Sequence, residues 1–415
     1  LFNQRLNFNT SKVINMSTMF CNAKSFNRLL DFNTSNVVNM SYMFFNARSF
    51  NHLLTFNTEN VTDMRGMFSK AKLFNQRLNW DTKKVINMSG MFSCTASFNK
   101  PLNFKSTSKV TDMCFMFKGA ESFNQPLTFN TENVVNISFM FCDAIRFNQP
   151  LKFNTKNVTD MSSMFAKSLS FNQPLKFNTE NVTDMSSMFA KSQSFNQPLN
   201  FNTENVTDMS SMFSNAPYFN KPLNFNTKNV IDMSFMFQQA KSFNQPLTFN
   251  TENVTNMKRM FINAKSFNQT LTFNTENVTD MSNMFDEAKS FIDYKMLLKV
   301  KLIKVEYTHS GYCSLADDKD EKKRRCTSKE IHILSNFPSQ IVYNDILMDK
   351  NCFLSGSEGI KQKNQILWDF VKNYANSLNR PNESGYCGCD LGTFFFVEKV
   401  KVLKTKVCSR RIYCP

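Results

Sequence analysis

Residues 158–175 read V-T-D-M-S-S-M-F-A-K-S-L-S-F-N-Q-P-L, and residues 182–199 repeat them with one change, Gln193 for Leu169. Near-identical strings 24 residues apart make the chain a tandem array before any other reading is attempted. Working outward in both directions, units start at Phe2, Phe26, Phe50, Phe74, Phe98, Phe123, Phe147, Phe171, Phe195, Phe219, Phe243 and Phe267, and Phe291 opens an incomplete thirteenth. Only the fifth unit departs from the period, gaining one residue where Lys105-Ser106-Thr107 replaces Asn-Thr. The skewed composition follows from this copying: 46 Phe and 25 Met stand against 9 Gly and 2 Trp in 415 residues.

Two periodicities share each unit. Leu and Phe two apart (Leu151 and Phe153, Leu175 and Phe177) alternate with polar residues, as in a short strand with one buried face. Met209, Met212, Phe213 and Ala216 fall at the 0, 3, 4, 7 spacing of one helical stripe, and Asp208 just before them predicts an N-cap. Asp184 and Asn256 hold the same place in their units. The expected fold class is therefore an α/β repeat solenoid, with a short parallel strand plus a short helical turn in each 24-residue rung. One unit has too few apolar side chains to offset the entropy of ordering its backbone, so the rungs must stack.

An Asn follows the leading Phe in every unit: Asn3, Asn27, Asn51, Asn75, Asn99, Asn124, Asn148, Asn172, Asn196, Asn220, Asn244 and Asn268. Such constancy predicts a structural Asn ladder, buried at a turn and bonding to its own and neighbouring rungs, in preference to a row of ligand-binding amides.

The string V-T-D-M-S-S-M-F-x-x-A-x-S-F-N-Q-P-L closely resembles the BspA-like leucine-rich-repeat surface proteins, in their lipoprotein-type 24-residue repeat known from wall-less bacteria, protists and large DNA viruses. The resemblance implies a leucine-rich-repeat-like right-handed solenoid, with P-L-x-F as its concave strand and M-S-S-M-F as its convex helical turn. It also implies a surface-exposed, non-enzymatic protein used in adhesion or protein contact. It does not extend into the last 124 residues.

The periodicity stops after Phe291, which sets two domains: 1–291, the twelve-repeat solenoid, and 292–415, a Cys-rich C-terminal capping and interaction domain of α+β type. Residues 297–307 and 393–407 alternate apolar with charged side chains as strands do, and Ile366, Leu367, Phe370, Val371, Tyr374 and Leu378 recur at helical spacing. Seven of the 11 Cys lie here: Cys313, Cys326, Cys352, Cys387, Cys389, Cys408 and Cys414. They read as candidate disulfide cysteines of undetermined pairing. The rival is zinc, held by Cys387 and Cys389 with His309 or His332, but the spacings match no standard site. Asp317-Asp318-Lys319-Asp320-Glu321-Lys322-Lys323-Arg324-Arg325 reads as a solvated loop whose acidic and basic halves pair.

Catalysis needs convergent, non-repeated polar groups, and none stand out, so neither an enzyme nor a cofactor is expected. His52 replaces the usual Gln of one unit as a surface substitution. The Asp column (Asp63, Asp160, Asp184, Asp208, Asp232, Asp280) is better explained by capping than by calcium, because Asn39, Asn87, Asn136 and Asn256 substitute in it. N-V-T sequons at Asn60, Asn157, Asn181, Asn205, Asn253 and Asn277 come from the repeat itself. Bases exceed acids by 28 to 19 in the repeats and by 21 to 14 beyond them, a spread that argues against a nucleic-acid groove. No apolar run is long enough to form a transmembrane segment. The chain opens Leu1-Phe2-Asn3 without an initiator Met, so an earlier N-terminal stretch is expected. The expected partners are other proteins: coat proteins of a large DNA virus particle first, host protein or matrix bound by a cell-surface adhesin second, copies of the chain itself included. The absent lipobox and the abundant Cys set a virion or cell surface ahead of a bacterial lipoprotein. An enzyme in 292–415, with the repeats as targeting arm, is the reading from another class.

Overall fold

The structure, a computed structural model, describes residues 2–291 and three strands, Met296–Cys313, Arg324–Leu334 and Phe396–Ile412. These fall into two units, one of stacked coils and one holding the strands. Each 24-residue repeat makes one coil, and each coil bonds to the next at equivalent positions.

Residues 171–194 show how. The side chains of Phe171, Leu175, Phe177, Val182, Met185, Met188 and Phe189 are buried, and the residues between them mostly face outward. From Met185 to Ser192 every backbone N–H has a named acceptor. Met185, Ser187, Phe189 and Lys191 donate forward to the carbonyls of Asp208, Ser210, Met212 and Ser214, at 2.7–3.0 Å. Met188, Ala190 and Ser192 donate back within their own coil, to Met185, Ser187 and Phe189. Ser186 donates to the Asp184 carboxylate at 2.8 Å.

This pattern corrects the expected helical turn. Among the described residues there is no helix; M-S-S-M-F is a run of β-turns. Two residues in each coil, Ser187 and Lys191 in this one, have φ near +60°, as the third residue of a type II turn requires. A helix would keep its hydrogen bonds inside the segment, whereas these turns aim every second N–H at the neighbouring coil. The left-handed conformation costs roughly 1–2 kcal/mol for a residue with a Cβ. The forward hydrogen bonds, worth about 1 kcal/mol each, offset it. The 0, 3, 4, 7 stripe is still buried: Met209, Met212, Phe213 and Ala216 are all 0% exposed.

The expected P-L-x-F strand is largely absent as well. Between described residues, ten parallel bridges run through the Asp and Asn column, from Asn15↔Asn39 to Asp232↔Asn256, and two, Leu78↔Leu102 and Leu199↔Leu223, lie in the Leu column. Proline is not the reason: Leu199↔Leu223 joins two units that carry Pro198 and Pro222, and the proline-free units of Leu30 and Leu54 share no such bridge.

Two phenylalanine columns fill the core. Rings of the leading Phe stack from Phe26 to Phe267 at 5.8–6.1 Å. Those of the M-F Phe stack from Phe20 to Phe285 at 5.3–5.7 Å. Adjacent rings of the two columns lie 3.9–4.4 Å apart, so one aromatic seam runs through the coils.

The second unit is an antiparallel sheet of β1 (Met296–Cys313), β2 (Arg324–Leu334) and β3 (Phe396–Ile412) in the order β2-β1-β3. β1 covers the segment 297–307 read as a strand from the sequence, and β3 covers 396–407 of the segment 393–407, whose first three residues lie outside the described ones. β2 takes in Arg324 and Arg325, assigned above to a solvated loop; only Ile331 and Ile333 give it an alternating apolar signal. The expected helix over 366–378 lies outside the described residues.

A glycine at a left-handed position relieves the strain a Cβ causes, as Gly66 and Gly90 do in the column that Ser187 occupies. Ser187→Gly is therefore expected to raise the melting temperature and Ser187→Val to lower it, read by thermal unfolding of the full chain; an ordering with Val the most stable would refute the turn assignment.

Candidate functional site

The invariant polar side chains come together between the coils. The Oδ1 of each ladder Asn accepts the backbone N–H of the same Asn one coil later, in eleven consecutive steps from Asn3 to Asn268 at 2.8–3.1 Å. The following Gln adds a second tie: the Gln197 amide donates to both the side-chain and backbone oxygens of Asn172, each at 3.1 Å. His52 stands in for that Gln, with its Nε2 3.3 Å from the Asn27 carbonyl. The Asn side chains are half-buried, with Asn27 and Asn268 exposed, where the sequence reading had them buried. They line the rim of the core, because an amide that reaches along the stack needs only one side shielded.

Two further ladders were missed from sequence. A Thr two residues after the second Phe is buried and donates its hydroxyl to a carbonyl of the next coil; Thr179 reaches Asn202 at 2.8 Å. The sequon Asn does the reverse, Asn181 and Asn205 donating their amides to Lys156 and Glu180 of the preceding coil at 2.8 and 2.7 Å. Strict recurrence of Thr in that column was the available signal. Together these side chains do what backbone pairing does not do in the P-L-x-F segment.

In the Asp and Asn column, every unit's side chain accepts the N–H two residues on, at 2.7–3.1 Å. The cap is real, but it caps a run of turns. Stacking carboxylates one above another has an electrostatic consequence. Burial, and then the neighbouring charges of Asp184 and Asp232, push Asp208 above its ordinary value, against the pull of its bonds to Ser210. Asn256 relieves the same crowding by donating its amide to Asp232 at 2.9 Å. Among the described residues, no group of three or more His, Cys, Asp or Glu is placed to hold a metal ion.

The four repeat cysteines are free thiols. Burial, aided by Asp112, pushes Cys114 up to about 12, and burial raises Cys142, so neither is a ready nucleophile. Of the candidate disulfide cysteines, the register sets Cys326 opposite Gly311, Cys313 opposite Arg324 and Cys408 opposite Val300. Cys352, Cys387, Cys389 and Cys414 lie outside the described residues.

Outside the ladders, a groove of about 410 Å³ crosses several coils at the corner after the second turn, lined by Asp143, Lys167, Lys191, Asn215, Gln239 and Lys241 among others. Its lysines are far apart in the sequence, and only reading the units as aligned columns would have gathered them.

Comparison with known families gives five overlapping matches, to residues 1–102, 51–152, 127–224, 151–247 and 199–298. The chain belongs to the DUF285 family. The family is described as a Mycoplasma protein of unknown function, and its matches coincide with the coils of this DUF285 chain. No curated protein and no solved structure matches it. Among the described residues of this DUF285 protein, no helix is long and apolar enough to cross a membrane.

Because folding raises the Asp208 pKa, the folded state loses stability as pH rises from 3.8, the usual carboxylate value, through the shifted one. Asp208→Asn keeps the turn acceptor and removes the crowded charge. At neutral pH it is expected to raise the melting temperature by on the order of 1–3 °C, with the gain vanishing in scans below the usual carboxylate value. Separately, Asn172→Ala, which strands the Asn196 N–H and the Gln197 amide, is expected to cost about 1–2 kcal/mol. Exposed Lys176→Ala should stay within about 0.5 kcal/mol of wild type; equal melting temperatures would refute the ladder.

Proposed function

We propose that the chain is a non-enzymatic scaffold for protein contact at a surface, kin to the BspA-like repeat proteins. The observation that carries this reading is the division of labour among the columns. The inward and rim positions repeat nearly unchanged and are taken up by ring stacking and coil-to-coil bonds, as Phe171, Asn172 and Thr179 are. The outward positions vary, Lys152, Lys176, Asn200 and Thr248 sharing one column. A frame fixed by the first set can carry any pattern of the second, which suits recognition of an extended partner. Residues 292–415 are proposed as a capping and interaction module of their own.

For the setting, the family's description as a Mycoplasma protein supports a cell surface, with host protein or matrix as the partner. The capsid-associated reading retains only the cysteine content in its favour. Surface biotinylation of intact producing cells, followed by mass spectrometry beside any purified virus particles, separates the two. Labelling on cells supports the adhesin, recovery only in particles supports the capsid reading, and recovery only from the cell interior would refute both.

A further inference from the structure

We propose that the corner groove is a binding site for a linear anionic polysaccharide, sulfated or carboxylated, lying along the stack of coils. This goes beyond the protein-contact reading and does not rest on it.

The first observation is where the charge sits. The segment from the second left-handed residue of a coil's turn run to the residue before the next Phe, together with the residue just before it, is five positions long. Across the twelve repeats, these positions hold eleven of the 28 bases and four of the 19 acids. Charge that is diffuse along the chain is thus concentrated along one corner of the coils, and this corrects the spread inferred from halves of the sequence. An array of like charges beside a low-dielectric wall draws counter-charge to it.

The groove is where that corner is concave. Lys167 and Lys191 occupy the same turn position in successive coils, and Asn215 and Gln239 continue the column. Lys241 lies two positions on from Gln239, in the column that holds Gln193. None of the three lysines makes an ion pair among the described residues, so their charges are free for a ligand. Asp143 is the acid lining the groove.

The chemistry selects among polyanions. Amides interleaved with ammonium groups offer both donors and acceptors to hydroxyls, as a sugar chain needs. A nucleic acid would want rings for its bases to stack on, and none of the groove's lining residues is aromatic. An acidic peptide adding as a strand would need unpaired backbone groups, but the Lys191 and Asn215 N–H groups already donate to Ser214 and Gln238.

The test uses the full chain, with a heparin-type sulfated glycosaminoglycan as probe and its desulfated form, poly-glutamate and a single-stranded oligonucleotide as comparisons. The groove variant carries Lys167→Asn, Lys191→Asn and Lys241→Gln, residues that other coils hold at the same positions, and should keep its melting temperature. The control loses the same charge elsewhere, through Lys152→Asn, Lys176→Asn and Lys228→Ser. Saturable binding of the sulfated probe is expected to weaken with salt, and to fall on the order of tenfold in the groove variant, as three exposed charge contacts would give. The control should change it little, and Asp143→Asn should tighten it. Equal losses in both triple variants, or no saturable binding, would overturn the site. Tighter binding of poly-glutamate or oligonucleotide, sensitive to the groove variant, would overturn the ligand class. Because the readout is binding by purified protein, its failure leaves the surface-labelling experiment untouched.

Discussion

Everything in the repeat unit depends on one constraint: each donor that leaves its coil must find its acceptor at a fixed position of a neighbouring copy. Met185 reaches Asp208, and Asn196 reaches Asn172. Because both partners recur with the period, a change in length inside the turn run would put that coil's donors out of phase with its neighbours' acceptors. The fifth unit shows where an extra residue can go. Lys105 pairs with Asp81 at 3.5 Å, the Ser106 hydroxyl accepts the Ser108 N–H in place of the usual Asn, and Thr107 still donates to Asn130. Burial would raise Asp81, but its bond from Lys83 and the charges of Lys83 and Lys105 hold its carboxyl below the ordinary value. The rings of Phe98 and Phe123 then lie 5.8 Å apart, as elsewhere. The addition falls where side chains tie the coils, away from the alternating backbone bonds.

The two binding systems do different jobs. Ring stacking is tolerant: the hydrophobic gain is non-directional, and Trp80 can replace a Phe at 2% exposure. Hydrogen bonds are exacting and set the phase. The Thr, Asn and Gln side chains matter because the P-L-x-F segments supply little backbone ladder, so side-chain amides and hydroxyls carry one across the gap.

Period, phase, core columns and the Asn ladder could all be read from the sequence, because each is a statement about recurrence. The turn conformation could not, for a physical reason. The 0, 3, 4, 7 spacing reports which side chains point inward, and a chain of turns with alternating left-handed residues buries the same four positions as a helix. A weaker signal was present: Asn, Asp or Gly fills nine of the twenty-four left-handed positions, Asn22, Asn46, Gly66 and Asp143 among them. The charged corner was hidden by summing along the chain, where Lys167 and Lys241 are distant; folding in register makes them neighbours.

The near-identity of residues 158–175 and 182–199 has a consequence for inheritance. Since every junction between coils is made by the same pairs of atoms, gene slippage that adds or removes one whole coil recreates junctions that already exist, and selection has little to object to. A gain or loss within the turn run breaks the register, whereas the corner used by the fifth unit takes one residue more. Such a chain can vary its reach between generations while its architecture stays constant, and each new copy is free to diverge on its outer side.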